Sequence, residues 1–143
     1  MATEIQIKNI PEGYQSFISN GRHAVLGDEP VSSKGTDLGF SPTEFLLAGI
    51  SMCKVATIRN VARRKGWEIG NVDAKVSQKV LRQVDGNLKT KVQSSITIEG
   101  DITEAQRKEL IHEADNCYVT RVVRGEWEFS ESIDTAVVLE KSV

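Results

Sequence analysis

A chain of 143 residues, 39% hydrophobic and 27% charged, has the composition of an ordinary globular domain and can bury a core without metal or disulfide staples. Its formal net charge of −2 leaves no basic stripe with which a nucleic-acid binder would displace counterions from phosphates, and its composition points to no membrane partner. The first residues, MATEIQIKNI, lack the basic and apolar regions of a signal peptide, so a cytoplasmic, reducing location is expected, where Cys53 and Cys117 would not be a structural staple but could be a redox pair.

Ile5, Ile7 and Ile10 set against Glu4, Gln6 and Lys8 predict a short strand. Pro11 to Gly13 and Asn20-Gly21 are turn signals that separate it from strands near Tyr14 to Ile18 and Arg22 to Leu26, so residues 4–26 read as a three-stranded meander. Residues 27–40, GDEPVSSKGTDLGF, read as a surface loop. The loop runs into Ser41, Pro42, Thr43 and Glu44, a capping box with proline at the first helical position. The spacing that follows predicts a helix over 42–65, apolar on all sides from Phe45 to Ala62, ended by Arg63, Arg64, Lys65 and Gly66. Its uncharged run from Phe45 to Cys53 falls short of the roughly 20 residues a membrane span needs, which predicts a core helix.

Two runs of period two around Asp85-Gly86 predict a hairpin over 71–98 with one face on the long helix. Thr103 and Gln106 form a second capping box, opening a helix over 104–117 that carries Cys117 at its inner end. Tyr118 to Arg124 reads as a further turn or bend. Trp127 to Phe129 and Ala136 to Leu139 read as closing strands within 126–140. This order gives one α+β domain over 1–143 rather than alternating βαβ units.

Taken singly, each cysteine reads as a buried core residue. Their separation of 64 positions fits no short metal motif, His23 and His112 are the only imidazoles, and His112 falls on the outer side of its helix. Neither a nucleotide-binding glycine pattern nor a Gly-x-Ser-x-Gly elbow is present, so neither metal nor organic cofactor is expected. These readings leave open an α+β domain with or without active thiols.

The stretch GDEPVSSKGTDLGFSPTEFLLAGISMCKVATIRNVARRKG, with ITIEGDITEAQRKELIHEADNCYVTR downstream, resembles the OsmC/Ohr family of osmotically inducible and organic-hydroperoxide-resistance proteins from about Gly27 to Arg121. The most specific parts are the Ser-Pro-x-Glu-x-Leu-Leu start of the long helix with a cysteine deep inside it, and a second cysteine after a threonine-capped helix. The resemblance implies a long central helix packed on a curved antiparallel sheet, an intertwined homodimer, and thiol peroxidase chemistry. Cys53 would attack an organic hydroperoxide, Cys117 would resolve the sulfenic acid as a disulfide, and an external dithiol would regenerate the pair. Phe45, Leu46, Met52 and Tyr118 are candidates for an apolar substrate pocket.

The family pattern places a glutamate directly after the helix-opening proline, where it holds an arginine against the thiolate. Here that position is Thr43; Glu44 follows one place later, and the arginine offered by the N-terminal strands is Arg22. Glu44 and Arg22 are therefore the candidate activating residues, each with a plainer reading: helix cap for Glu44, solvated strand-edge charge for Arg22. Arg121 matches an arginine that follows the second cysteine, Tyr118 stands where proline is common, and Arg59, Arg63 and Arg64 read as surface charges. The alternative function is a catalytically weak or inactive OsmC-like protein that binds a small apolar ligand or partner at the dimer interface, and a weaker third is a stress protein with no site.

Overall fold

The computed structural model describes residues 2–136. Three short strands come first, β1 (Gln6–Asn9), β2 (Ser16–Ser19) and β3 (Ala24–Gly27), in an antiparallel sheet of that order with Gln6 opposite Ser19 and Ser16 opposite Gly27. The turn between β2 and β3 is closed by Asn20, whose Oδ1 accepts from the Arg22 and His23 amides at 3.0 and 2.8 Å.

The following loop is folded around one buried carboxylate. Asp28 accepts hydrogen bonds from the Thr36 hydroxyl and from the amides of Glu29, Thr36 and Leu38, drawing the two ends of the loop together. At Gly35 and Gly39 the backbone passes so close to Glu29 and Leu26 that no Cβ would fit. The Thr36 hydroxyl, above all, holds the Asp28 carboxyl below its ordinary value of 3.8; burial acts the other way, and the three amides add to the lowering. A carboxyl with a depressed folded pKa contributes stability that is present above the unfolded value and is lost as pH falls through the folded one. Asp28→Asn should therefore unfold in less urea than the parent at neutral pH and lose less on acidification through 3.8; equal acid losses in the two proteins would contradict this role.

Helix α1 (Pro42–Lys65) starts as the sequence requires. Ser41 Oγ accepts from the Glu44 amide at 3.3 Å, Glu44 Oε1 accepts from the Ser41 amide at 3.1 Å, and Pro42 takes a position where no amide hydrogen is needed. Gly66, at φ 68°, ends it in the left-handed region that glycine enters without strain. By length and composition alone α1 could cross a membrane. Its sides show another use: Ile50, Lys54, Ile58, Val61 and Ala62 form a buried stripe facing β4, α2 and α3 of the same chain.

The expectation of a helix covered all round does not hold within one chain. Leu46 and Ala56 are exposed, and Met52 is 73% exposed. One hairpin and two helices cannot enclose a cylinder on every side.

Strands β4 (Val72–Arg82) and β5 (Leu88–Ile98) make a long hairpin, Val72 opposite Ile98 and Arg82 opposite Leu88, with Gly86 at φ 89° in its turn. Helix α2 (Glu104–Asp115) opens on the reciprocal Thr103–Gln106 box at 2.8 and 3.1 Å. Ile58, Val61 and Ala62 of α1 meet Ile98 and the inner stripe of α2, Leu110 and Ala114, to form the core; Trp67, Ile69, Val72, Ile96, Ile102 and Ile111 surround it. Arg59 is not the surface charge its sequence position suggested. Its guanidinium donates to the carbonyls of Ile69 and Gly70 at 3.3 and 2.8 Å and ties α1 to the start of the hairpin.

Helix α3 (Tyr118–Arg124) follows after two residues, so α2 ends at Asp115, short of the expected 117. The expected strand at Trp127–Phe129 does not form among the described residues. Its aromatic character is taken up locally: the two rings stack at 5.9 Å and Trp127 Nε1 donates to the Val122 carbonyl at 3.1 Å. Of the expected strand Ala136–Leu139, residues 137–139 lie outside the described part.

Candidate active site

The site forms where the first turn of α3 meets the middle of α1. Cys53 lies one step from the buried stripe of α1 and is half-buried; Cys117 takes the position just before α3 and is only 2% exposed. Sixty-four residues apart in sequence, the two thiols are neighbours and free. The Val119 amide donates to Cys53 Sγ at 3.4 Å, and Cys117 Sγ shares a hydrogen bond with Thr120 Oγ1 at 3.0 Å. Each sulfur thus has a hydrogen-bond partner on α3.

Burial pushes the Cys117 thiol up. Against it act the Thr120 hydroxyl, the Thr120 amide, the Cys53 thiol and the charge of Lys54, and together they bring Cys117 below the usual 9.0.

Lys54 is the group that sequence reading missed. It is 5% exposed, and its ammonium pairs with Asp115 Oδ1 at 2.9 Å, joining α1 to the last residue of α2. The signal was present in the spacing. Ile50, Lys54 and Ile58 follow one another at i, i+4, i+8, so a lysine occupies the buried face and needs an acidic partner there. Thr120 had no comparable mark, since only the turn at Cys117 aims its hydroxyl at the sulfur.

Beyond Lys54 and Thr120 opens a cleft of about 750 Å³ that neither cysteine lines, bounded on its polar side by Lys54, Asp115, Thr120 and Arg124 and on its apolar side chiefly by Leu46 and Val92. Of the other apolar candidates, Phe45 lines a separate cleft of about 620 Å³ against the N-terminal sheet, while Met52 and Tyr118 are exposed. Arg121 lies over the Tyr118 ring at 5.9 Å.

Neither candidate activating residue hydrogen-bonds to a thiol among the described residues. Glu44 is committed to the helix cap, nine residues before Cys53, and the Ser41 amide and hydroxyl hold its carboxyl below the ordinary range. Arg22 is exposed on the turn between β2 and β3 and makes no ion pair among the described residues. His112 is exposed, and no cluster of metal-ligating side chains occurs among the described residues.

A sequence profile of the family described as OsmC-like protein matches residues 35–132. No curated protein matches the chain in sequence. Among solved structures, the chain is similar to an OsmC-like protein from Mycoplasma pneumoniae (TM-score 0.75, 20% identity, covering 87% of this chain and 89% of that one). An organic hydroperoxide resistance protein OsmC from Legionella pneumophila has a TM-score of 0.67 at 17% identity, covering 87% and 90%. The organic hydroperoxide resistance protein OhrB of Bacillus subtilis has a TM-score of 0.64 at 17% identity, covering 88% and 93%. These likenesses show a shared α+β fold.

Proposed function

Because the chain belongs to the OsmC-like family, we propose that it is a thiol-dependent peroxidase which reduces organic hydroperoxides through a Cys53/Cys117 thiol–disulfide cycle. The carrying observation is the pair of adjacent free thiols, each with a hydrogen-bond partner on α3, one of which, Thr120, also lines a half-apolar cleft.

Cys53, the more accessible sulfur, attacks as thiolate the outer oxygen of the hydroperoxide. The O–O bond breaks, the alkoxide takes a proton and leaves as the alcohol, and Cys53 becomes a sulfenic acid. Cys117 thiolate then attacks the Cys53 sulfur and expels hydroxide, which is protonated to water. The product disulfide is reduced by an external dithiol, as expected of a protein working in the reducing cytoplasm. The exposed faces of α1 and of the N-terminal strands, including Leu46, Met52, Ile5 and Ile7, support a homodimer in which a second copy covers them.

Wild-type protein treated with one equivalent of cumene hydroperoxide should lose both titratable thiols with the mass change of an intramolecular disulfide. Cys53→Ser should show neither change. Light scattering on the same sample should return twice the mass of one chain. Thiols unchanged after prolonged exposure would remove the peroxidase reading and favour ligand binding in the cleft of about 620 Å³ lined by Ile7, Ile18, Val25 and Phe45; a monomer would remove the dimer.

A further inference from the structure

Glu44 is committed to the helix cap and Arg22 makes no ion pair among the described residues, while a buried cation that lines the cleft has no role in the scheme above. Lys54 follows Cys53 on α1, yet its side chain turns inward to Asp115, two residues before Cys117. We propose that Lys54, pinned by Asp115, is the positioning cation of Cys117 and makes Cys117 both the resolving thiolate and the leaving thiolate, so that the external dithiol attacks the disulfide at Cys53. The proposal rests on the thiol–disulfide reading and adds to it a direction for the reductive half.

Three observations carry it. Lys54 is buried while Asp115 is not: their side chains are 6% and 56% exposed. The carboxylate is therefore screened by solvent, whereas the ammonium acts through protein, and the pair presents net positive charge inward. The groups at and near Thr120 point the same way. Arg124 of α3 lines the adjoining cleft, the Thr120 hydroxyl contacts the sulfur, and the hairpin offers that cleft only the uncharged Gln78, Thr90 and Ser94 as polar groups. The two sulfurs also differ in access, Cys53 being half-buried and Cys117 almost wholly covered.

Thiol–disulfide exchange follows access and leaving-group acidity. A reductant thiolate reaches the Cys53 sulfur, the S–S bond breaks, and its electron pair goes to Cys117, where Lys54 and Thr120 receive the charge. The second thiol of the reductant, as thiolate, then attacks the reductant's own sulfur in the mixed disulfide. Cys53 leaves as thiolate and the oxidised dithiol departs as a cyclic disulfide.

The test has two arms. In the Cys53→Ser background Cys117 is the only thiol, and its ionisation is followed by ultraviolet thiolate absorbance against pH. Lys54→Met should move the midpoint upward by about one pH unit, a roughly tenfold smaller thiolate fraction near neutrality, while Lys54→Arg should move it much less. A midpoint unchanged in Lys54→Met, with circular dichroism confirming that the variant is folded, overturns the assignment. Should Lys54→Met not fold, Lys54→Gln serves as the second variant: it keeps a polar partner for Asp115 without the charge and should raise the midpoint likewise, and an unchanged midpoint would overturn the proposal.

In the second arm the disulfide is made with diamide, which needs no peroxidase activity, and is then opened with a monothiol that stalls at the mixed disulfide. Peptide mapping should find the adduct on Cys53; an adduct on Cys117, or no disulfide formed by diamide, overturns the proposal. Failure with hydroperoxide but success with diamide would remove the peroxidase reading alone.

Discussion

With Cys117 replaced by serine, multiple turnover of an organic hydroperoxide is expected to fall by on the order of a hundredfold while the first equivalent is still consumed. The physical reason is effective concentration. A thiol held beside the Cys53 sulfur meets a sulfenic acid far more often than a millimolar thiol in solution, and intramolecular placement of this kind supplies several powers of ten. Without it, Cys53 should halt as the sulfenic acid, trapped by dimedone and read as one adduct by intact mass.

Cys53→Ser should instead reduce turnover to the level of a protein-free blank and give no adduct, because the attacking sulfur is gone. The asymmetry between the two variants is the informative result. If Cys117→Ser were inert and Cys53→Ser consumed one equivalent, the two roles would be exchanged. That exchange would oppose the access of the two sulfurs, half-buried against 2% exposed.

The largest effect on stability is expected at Leu110. Its side chain is fully buried where the inner stripe of α2 meets Ile58, Val61 and Ala62 of α1 and Ile98 of β5. Truncation to alanine removes the transfer energy of the lost carbons and leaves a cavity that close-packed neighbours only partly fill, a cost of about 3 kcal/mol. Chemical unfolding should show a lower midpoint at unchanged slope. Val84→Ala, at the fully exposed hairpin turn, should stay within about 0.5 kcal/mol of the parent. Equal midpoints for the two variants would contradict a core centred on the α1–α2 contact. Leu110 also bears on the site, because the packing that holds α2 against α1 delivers Asp115 to Lys54 and Cys117 to Cys53.

Features that depend on near neighbours in sequence were legible before any coordinates. Ser41 and Glu44, Thr103 and Gln106, and the glycines at 66 and 86 act across a few residues, so the start and stop of α1, the start of α2 and the hairpin turn could be read from their spacing. The cysteines could be named as candidates, but the aim of their neighbours could not. Trp127 and Phe129 show the limit of periodicity: apolar residues two apart satisfy a strand pattern and an aromatic stack equally well, and contacts with the end of α3 chose the stack.

By itself, then, the sequence determined the start and stop of α1, the start of α2, the hairpin and the two thiols, because capping, turn chemistry and alternation are local. Only the tertiary structure decided what surrounds those thiols. Lys54 turning inward to Asp115 and the Val119 amide on Cys53 join residues of different elements, brought together only by the packing of α1 with α2 and α3, while the Thr120 hydroxyl meets Cys117 within the first turn of α3. A side chain's spacing marks its face on a helix; which group answers it there depends on a second element, and that is a property of packing.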